Sequence, residues 1–169
     1  RWAEKKGLPK LKGHEAGAKN VGELLKWCKE LGIKEVTLYA FSTENFKRSK
    51  IEIEYLFGLF RQYFKRFLKE FTEEKNKEYD IKINIVGNVK LFPQDLQNAF
   101  NEVIEKTKNN ETLTVNFCLG YGSRAEIVES LKKIIQKIKN NELKEEEINE
   151  NTVTENLYLS SEPDLLIRP

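Results

Sequence analysis

The 169-residue sequence contains no methionine, one histidine, two cysteines and four prolines. Cys28 and Cys118 lie far apart and neither has a neighbour at metal-ligand spacing, so each is predicted to be a free buried thiol, which favours a reducing compartment. No apolar run approaches the ~20 residues that span a bilayer, and no signal-peptide pattern is present. We therefore predict a soluble, cytoplasmic protein, with a peripheral position at the inner membrane face as the alternative.

The sequence also lacks a large excess of positive or negative charge. The 29 Lys and Arg residues nearly balance the 27 Asp and Glu residues. Because a broad basic surface is absent, we predict no nucleic-acid partner, and any anion site must be local. Apolar residues make up 39% of the chain, enough for the core of a single domain. Both ends of the sequence lie inside segments that are predicted to be functional, so we interpret the chain as a fragment of a longer one.

Apolar periodicity predicts helices that alternate with strands. Gly32 follows the first long helical pattern, at the position where a left-handed cap residue is expected. No hairpin signal joins two strands, so the alternation favours an α/β fold with a parallel β-sheet flanked by helices. The predicted elements are helices over 14–31, 52–75, 93–108 and 123–139, strands over 35–41, 81–86, 113–119 and 164–168, and short helical turns within 140–150.

The polar loop 42–48 follows the strand predicted over 35–41. Ligands of parallel sheets bind beyond the carboxyl ends of the strands, where this loop begins. It offers two hydroxyls, a carboxylate, an amide and the guanidinium of Arg48, and arginine binds phosphate in a planar, two-pronged way. Composition alone leaves an anion site and a capping loop, with Ser49 as the helix N-cap, equally open. The position at the strand end favours the site.

A basic segment precedes the first long helix. Residues 1–12 carry five Lys and Arg residues, and His14 follows at the start of the helix predicted over 14–31. Helix N-termini favour anions through free backbone N–H groups and the helix dipole. For His14, an anion-binding role and a capping role are equally open, whereas a solvated surface is favoured for the lysines.

The helix predicted over 52–75 carries a broad apolar stripe of nine side chains, six of them aromatic. Such a stripe fills a core or lines an apolar cleft, and core packing is favoured from the pattern alone. The turn at 121–124 lacks the glycine spacing of nucleotide-binding loops, so a structural turn is favoured there. Arg124 in this turn and Arg168 after the strand predicted over 164–168 also follow strand ends.

Four blocks of this sequence resemble the cis-prenyltransferases, with bacterial undecaprenyl diphosphate synthase as the nearest type. The central block is Leu38-Tyr39-Ala40-Phe41-Ser42-Thr43-Glu44-Asn45-Phe46-Lys47-Arg48. The other blocks follow the family's order and spacing. They are residues 1–3 with 13–17, residues 116–124 with 126–127, and residues 164–168.

The resemblance implies an enzyme that extends an allylic diphosphate, usually farnesyl diphosphate, with isopentenyl diphosphate units to a long cis-polyprenyl diphosphate. It also implies Mg²⁺ as cofactor, a homodimer, a product that serves as lipid carrier in cell-wall glycan assembly, and transient membrane contact for product release. A non-catalytic prenyl-diphosphate-binding subunit of the same fold is the alternative, and a nucleotide-binding α/β protein is a more distant one.

The resemblance assigns roles position by position. Asn45 takes the catalytic position, where its amide is expected to orient water or diphosphate, because an amide is a poor base. The substrate-binding positions are Arg1, Trp2, Lys10, His14, Ser42, Thr43, Glu44, Phe46, Arg48 and Arg168. The predicted hydrocarbon tunnel is lined by Leu56, Phe57, Phe60 and Phe64.

This sequence departs from the family pattern at several positions. Lys10 stands where arginine is frequent, Phe46 where tryptophan is frequent, and Gly120 where asparagine is usual. The metal-binding aspartate and glutamate of the family are expected before Arg1 and after Pro169. No metal ligand is therefore assigned within the sequence, and the chain by itself is expected to be inactive.

Overall fold

The computed structural model describes residues 2–72 and 80–168 of the chain. The chain divides into two compact units, residues 1–120 and 121–169. The sequence predicted a single domain, and this division into compact units leaves that a prediction. No helix of the described residues is long and apolar enough to cross a membrane.

The first unit contains a three-stranded sheet with strand order β1-β3-β2. Strands β2 and β3 pair in parallel, from Ile81 opposite Leu113 to Val86 opposite Cys118. Helix α3 packs against α2 and α4, and α4 packs against β2, so the predicted parallel sheet flanked by helices is confirmed. The elements are α1 (Trp2–Lys5), α2 (Lys10–Glu30), β1 (Glu35–Ser42), α3 (Lys50–Thr72), β2 (Ile81–Val86), α4 (Gln94–Thr107) and β3 (Leu113–Tyr121), with 3₁₀ turns at Thr43–Lys47 and Val89–Leu91.

The second unit is built on α5 (Ser123–Lys139), which packs against α6 (Glu150–Asn156). A 3₁₀ turn at Glu145–Glu147 lies between them, which agrees with the short turns predicted there. The N–H of Tyr158 donates to Glu126 Oε1 at 2.8 Å, so the segment after α6 is fastened to α5.

The bounds of α2 follow from its flanking residues. Pro9, with φ −55°, lies directly before the first helical residue, and proline is well suited to a helix start because its φ is fixed. At the other end Gly32 has φ +70°, and the N–H of Ile33 donates to the Cys28 carbonyl at 2.9 Å. The predicted left-handed cap is therefore confirmed, whereas the start predicted at His14 was one turn late.

A buried amide links the three strands. Asn116 on β3 is fully buried, and its Nδ2 donates to Glu35 Oε1 at 2.6 Å and to Thr37 Oγ1 at 3.2 Å on β1. Its Oδ1 accepts from Asn84 on β2 at 2.9 Å. A one-residue slip of β1 or β2 would leave the buried Asn116 amide without these partners, so the amide helps to fix the register that aligns the strand ends.

Two sequence predictions differ from the structure. Residues 164–168 do not form a strand, and Leu165, Leu166 and Ile167 are 74–84% exposed. The reason is that no described strand lies alongside them to take up their backbone hydrogen bonds. The strand predicted to end at Leu119 continues to Tyr121, and the predicted helix residues 73–75 lie outside the described residues.

Candidate functional site

The turn after β1 is held by its own polar groups. Phe41 is 1% exposed and anchors the end of the strand in the core, and Ser42 is also buried. The N–H of Ser42 donates to Asn45 Oδ1 at 2.9 Å, and the N–H of Arg48 donates to the Asn45 carbonyl at 3.1 Å. Asn45 thus closes the turn from both sides and fixes where the Arg48 side chain leaves the backbone.

Three nitrogen donors predicted for the substrate site meet on one carboxylate, that of Glu52. Lys10 Nζ lies 3.0 Å from Glu52 Oε2, and Arg48 Nη1 lies 2.6 Å from Oε1. His14 Nε2 lies 3.2 Å from Oε1 and must be the donor, because an ionised carboxylate only accepts. Lys10, His14, Arg48 and Glu52 are called the Glu52 group below.

Glu52 is buried, and its side chain is only 11% exposed. Burial raises the pKa of its carboxyl, but the hydrogen bonds from Lys10 and His14 and the charges of Arg48 and Lys10 outweigh burial and hold the pKa below its usual value. The carboxylate also lies in the first turn of α3, where the helix dipole favours negative charge. Glu52 is therefore ionised at neutral pH.

The start of α3 shows the capping contact by Ser49 that was predicted from the sequence. The N–H of Glu52 donates to Ser49 Oγ at 3.3 Å. In a capping box the glutamate side chain would turn back to the N-cap backbone, but here its two oxygens accept from Lys10, His14 and Arg48. The Ser49 cap is thus confirmed, and the anion site stays a prediction.

Glu44 lies on the exposed side of the same turn. Its own backbone N–H, the hydroxyls of Ser42 and Thr43 and the charge of Lys47 lower the pKa of its carboxyl. The two hydroxyls are directed to this carboxylate, so a second anion would have to share these donors with Glu44.

An apolar cavity of about 660 Å³ begins beside the Glu52 group. It lies between α2 and α3 over the sheet, and His14 belongs both to its lining and to the Glu52 group. Its α2 wall extends from Gly13 to Lys29, roughly 24 Å at 1.5 Å per residue. The cavity therefore joins a charged head group site to a long apolar wall.

Three of the four predicted tunnel residues line this cavity: Leu56, Phe60 and Phe64. Phe57 does not line it, and its assignment to a tunnel stays a prediction. Its ring is 5% exposed and packs in the core 5.4 Å from the Phe92 ring. Adjacent helix positions are ~100° apart, so the side chain after Leu56 points away from the cavity wall.

The other predicted substrate residues lie in different surroundings. Trp2 is 50% exposed, with Lys6 Nζ 4.8 Å from its ring centroid. The ring of Phe46 packs 4.9 Å from that of Phe41, on the core side of the turn. Arg168 is exposed in the second unit, and Arg1 lies outside the described residues. The roles of these four residues stay predictions.

Sequence reasoning missed two features of this site. Glu52 was assigned only to the start of a helix, although its spacing of four residues from Arg48 is that of a helical ion pair. The second is a hydrogen bond between the two helices, in which the Tyr55 hydroxyl on α3 donates to the Glu15 carboxylate on α2. No sequence signal connects residues that are 40 positions apart.

Among residues 2–72 and 80–168, no group of three or more His, Cys, Asp or Glu side chains is arranged to hold a metal ion. The described side chains do not by themselves form the implied Mg²⁺ site.

A parallel α/β fold with clustered nitrogen donors at the head of an apolar cavity defines a protein suited to an anion with a hydrocarbon tail. Comparison with known sequences gives the family. The chain belongs to the prenyltransferase family described as putative undecaprenyl diphosphate synthase, whose sequence profile matches residues 1–169. The sequence resemblance to cis-prenyltransferases is confirmed.

Two relatives illustrate the similarity. A tritrans,polycis-undecaprenyl-diphosphate synthase (geranylgeranyl-diphosphate specific) of Pyrococcus abyssi is 39% identical over 170 residues, which cover 99% of this chain and 63% of the relative. An isoprenyl transferase of Shouchella clausii is 41% identical over 99% of this chain and 64% of the relative. The chain thus spans somewhat less than two thirds of these relatives.

Solved structures show the same fold. Lavandulyl diphosphate synthase from Lavandula x intermedia, in complex with dimethylallyl diphosphate, superposes with a TM-score of 0.84 at 28% identity, over 93% of this chain and 65% of that one. A probable undecaprenyl diphosphate synthase from Campylobacter jejuni superposes with a TM-score of 0.69 at 33% identity, over 86% of this chain and 65% of that one.

Proposed function

We propose that this protein takes part in cis-prenyl transfer, in which isopentenyl diphosphate extends an allylic diphosphate to a long polyprenyl diphosphate. The observation that carries the proposal is the position of His14, which belongs both to the Glu52 group and to the lining of the apolar cavity. A diphosphate head at the Glu52 group would direct its prenyl tail along the wall formed by Leu56, Phe60 and Phe64.

The energetics of the two ends support an amphipathic ligand. Lys10 and Arg48 supply charged donors for diphosphate oxygens, and arginine and lysine together combine a planar fork with a mobile point charge. Each methylene moved from water into the cavity contributes ~0.8 kcal/mol. The tail accordingly supplies binding energy that inorganic pyrophosphate lacks.

In the proposed reaction, the bond between the allylic carbon and the diphosphate oxygen breaks, and the electron pair leaves with the diphosphate. The double bond of isopentenyl diphosphate attacks this carbon, and a proton is then lost to restore a double bond. The donors of Lys10, His14 and Arg48 stabilise the negative charge that develops on the leaving diphosphate.

Asn45 supports binding rather than proton transfer in this proposal. Its Oδ1 accepts the backbone N–H of Ser42 at 2.9 Å, so that oxygen is already engaged. The amide Nδ2 remains as a donor, which suits a diphosphate oxygen. A diphosphate oxygen is then the better proton acceptor, because an amide is a poor base.

Farnesyl diphosphate is proposed as the allylic substrate, with geranylgeranyl diphosphate as the alternative. Archaeal relatives carry names specific for geranylgeranyl diphosphate, and bacterial relatives of similar identity are named isoprenyl transferases. Identity to the two groups, 39% and 41%, does not separate them. Both substrates belong in one assay.

Calorimetric titration tests the proposal. Farnesyl diphosphate is expected to bind more tightly than inorganic pyrophosphate, and farnesol is expected to bind weakly, because only the first ligand occupies both ends of the site. Equal binding of all three ligands, or preferential binding of ATP, would contradict the proposal. Incorporation of labelled isopentenyl diphosphate by the full-length protein then separates an enzyme from a non-catalytic prenyl-diphosphate-binding subunit, since the latter binds without turnover.

Mg²⁺ and the remaining partners are proposed on the family resemblance. Mg²⁺ is usually held by substrate phosphates, waters and one or two carboxylates, so its effect is sought in the titration of pyrophosphate with and without the ion. A homodimer in the cytoplasm, transient membrane contact for product release and a role of the product in cell-wall glycan assembly complete the proposal.

A further inference from the structure

The ionised Glu52 carboxylate occupies donors that a diphosphate needs. It accepts from Lys10 at 3.0 Å, His14 at 3.2 Å and Arg48 at 2.6 Å. Lys10 and His14 lie on α2, and Arg48 lies in the turn that joins β1 to α3, the helix that carries Glu52. In the proposed function every one of these donors acts on the diphosphate, but that function gives no role to the carboxylate that holds them.

We propose that Glu52 is a built-in counter-ion that occupies the diphosphate site when substrate is absent and competes with diphosphate for the same donors. This inference rests on the proposed function and concerns how the same site is regulated. Glu52 is a positioning residue, because it acts on the ligand through Lys10, His14 and Arg48.

The geometry supports competition rather than simple neutralisation of a surface charge. The Glu52 side chain is 11% exposed, against 63% for Lys10 and 33% for Arg48, so the carboxylate lies on the inner side of the donors. Lys10 Nζ and Arg48 Nη1 both donate to Glu52, so a diphosphate that takes up these donors displaces the carboxylate from them. A diphosphate bound there lies close to a fixed negative charge, and like charges at short distance repel.

The donors are thus positioned before substrate binds, but the affinity of the site for diphosphate is limited. Glu52 keeps the donors close together before substrate arrives, which lowers the cost of ordering them. The same charge weakens the hold on a diphosphate that has no prenyl tail to compensate for the repulsion. Inorganic pyrophosphate, the leaving group of the proposed reaction, is therefore released readily.

Titration of inorganic pyrophosphate into wild-type protein and into Glu52→Gln tests this inference. Glutamine keeps the size of the side chain and removes the competing charge. We expect pyrophosphate to bind about tenfold more tightly to Glu52→Gln, equivalent to ~1.4 kcal/mol. We also expect turnover to fall, because the leaving group is retained. A merely structural role for Glu52 predicts weaker binding.

Glu54→Gln provides the matched control, since Glu54 is exposed two residues along the same helix. It removes the same charge from the chain, and it should leave pyrophosphate affinity within twofold of wild type. Equal or weaker binding by Glu52→Gln, with wild-type binding intact, overturns the inference alone. If wild-type protein binds neither pyrophosphate nor farnesyl diphosphate, both the proposed function and this inference are refuted.

A measurement on wild-type protein covers the case in which Glu52→Gln does not fold. Nuclear magnetic resonance of ¹³C-labelled glutamate carboxyls and of the Arg48 guanidinium follows both partners during pyrophosphate titration. Saturation should shift the Glu52 carboxyl and Arg48 signals together, as Arg48 exchanges partners. Unchanged Glu52 and Arg48 signals at saturation would refute displacement of the counter-ion.

Discussion

Gly22→Leu is expected to shorten the prenyl product while making the protein slightly more stable. Gly22 lies inside α2 and lines the cavity, and no atom lies within 4 Å of a Cβ added there. Neither packing nor a positive φ requires glycine at this position. Because glycine has no side chain, the space that a larger residue would fill belongs to the cavity.

The magnitude follows from helix geometry and from burial. Position 22 is eight residues beyond His14, roughly 12 Å along the helix from the Glu52 group. A leucine there blocks the tail at that depth. Each isoprene unit excluded from the cavity loses burial of about five carbon groups, ~4 kcal/mol at ~0.8 kcal/mol each. Replacing a glycine inside a helix adds up to ~1 kcal/mol of stability.

The assay separates these two effects. Products formed from farnesyl diphosphate and isopentenyl diphosphate are sized by mass spectrometry, and stability is measured by urea denaturation. Gly58→Leu is the matched control, because Gly58 lies in α3, has no atom within 4 Å of an added Cβ and does not line the cavity. The control should gain stability without changing product length. Products of wild-type length from Gly22→Leu would refute the reasoning.

Three further changes test the site and its support. In the complete enzyme, Arg48→Ala should lower turnover or substrate affinity without unfolding, because Arg48 is partly exposed and its partner Glu52 keeps other donors. Wild-type kinetics with both substrates would contradict this role. Gly120→Ala should cost about 1–3 kcal/mol in urea denaturation, since Gly120 has φ +64° and an added Cβ would lie 2.6 Å from the Asn88 carbonyl oxygen; unchanged stability would contradict this. The Thr112 hydroxyl and the backbone N–H groups of residues 111 and 112 lower the pKa of the Asp80 carboxyl in the folded protein. The ionised carboxylate therefore stabilises the fold above the unfolded pKa of Asp80, and this stabilisation is lost as pH falls through the lower folded pKa. Asp80→Asn should flatten the acid limb of the stability profile, and an unchanged acid limb would count against this assignment.

Local patterns were sufficient for most of the fold. The alternation of apolar periods predicted β1, β2, β3 and the helices between them, and Gly32 and Ser49 marked helix ends that the structure confirms. These features depend on neighbours in the chain, which is why the sequence records them. The segment 164–168 has the same apolar pattern as a strand, but a strand also needs a paired neighbour, and that is a tertiary condition.

Within the site, the sequence predicted residue types but not their arrangement. Lys10, His14 and Arg48 were each assigned to the substrate site separately. Their meeting at Glu52 depends on the packing of α2 against α3, which brings together residues 42 and 38 positions apart. The location of Phe57 was not predictable for a related reason, because a broad apolar stripe does not show which of its edges packs in the core and which lines a cavity.

Local patterns and contiguous motifs were enough to identify the family, the order of helices and strands and the chemistry available at the end of β1. The contact of His14 with both the charged group and the apolar cavity, and the contacts of Glu52 with the three donors, arise from the folded chain. A carboxylate buried between two helices acquires its partners from packing, and packing depends on the whole first unit rather than on any one segment.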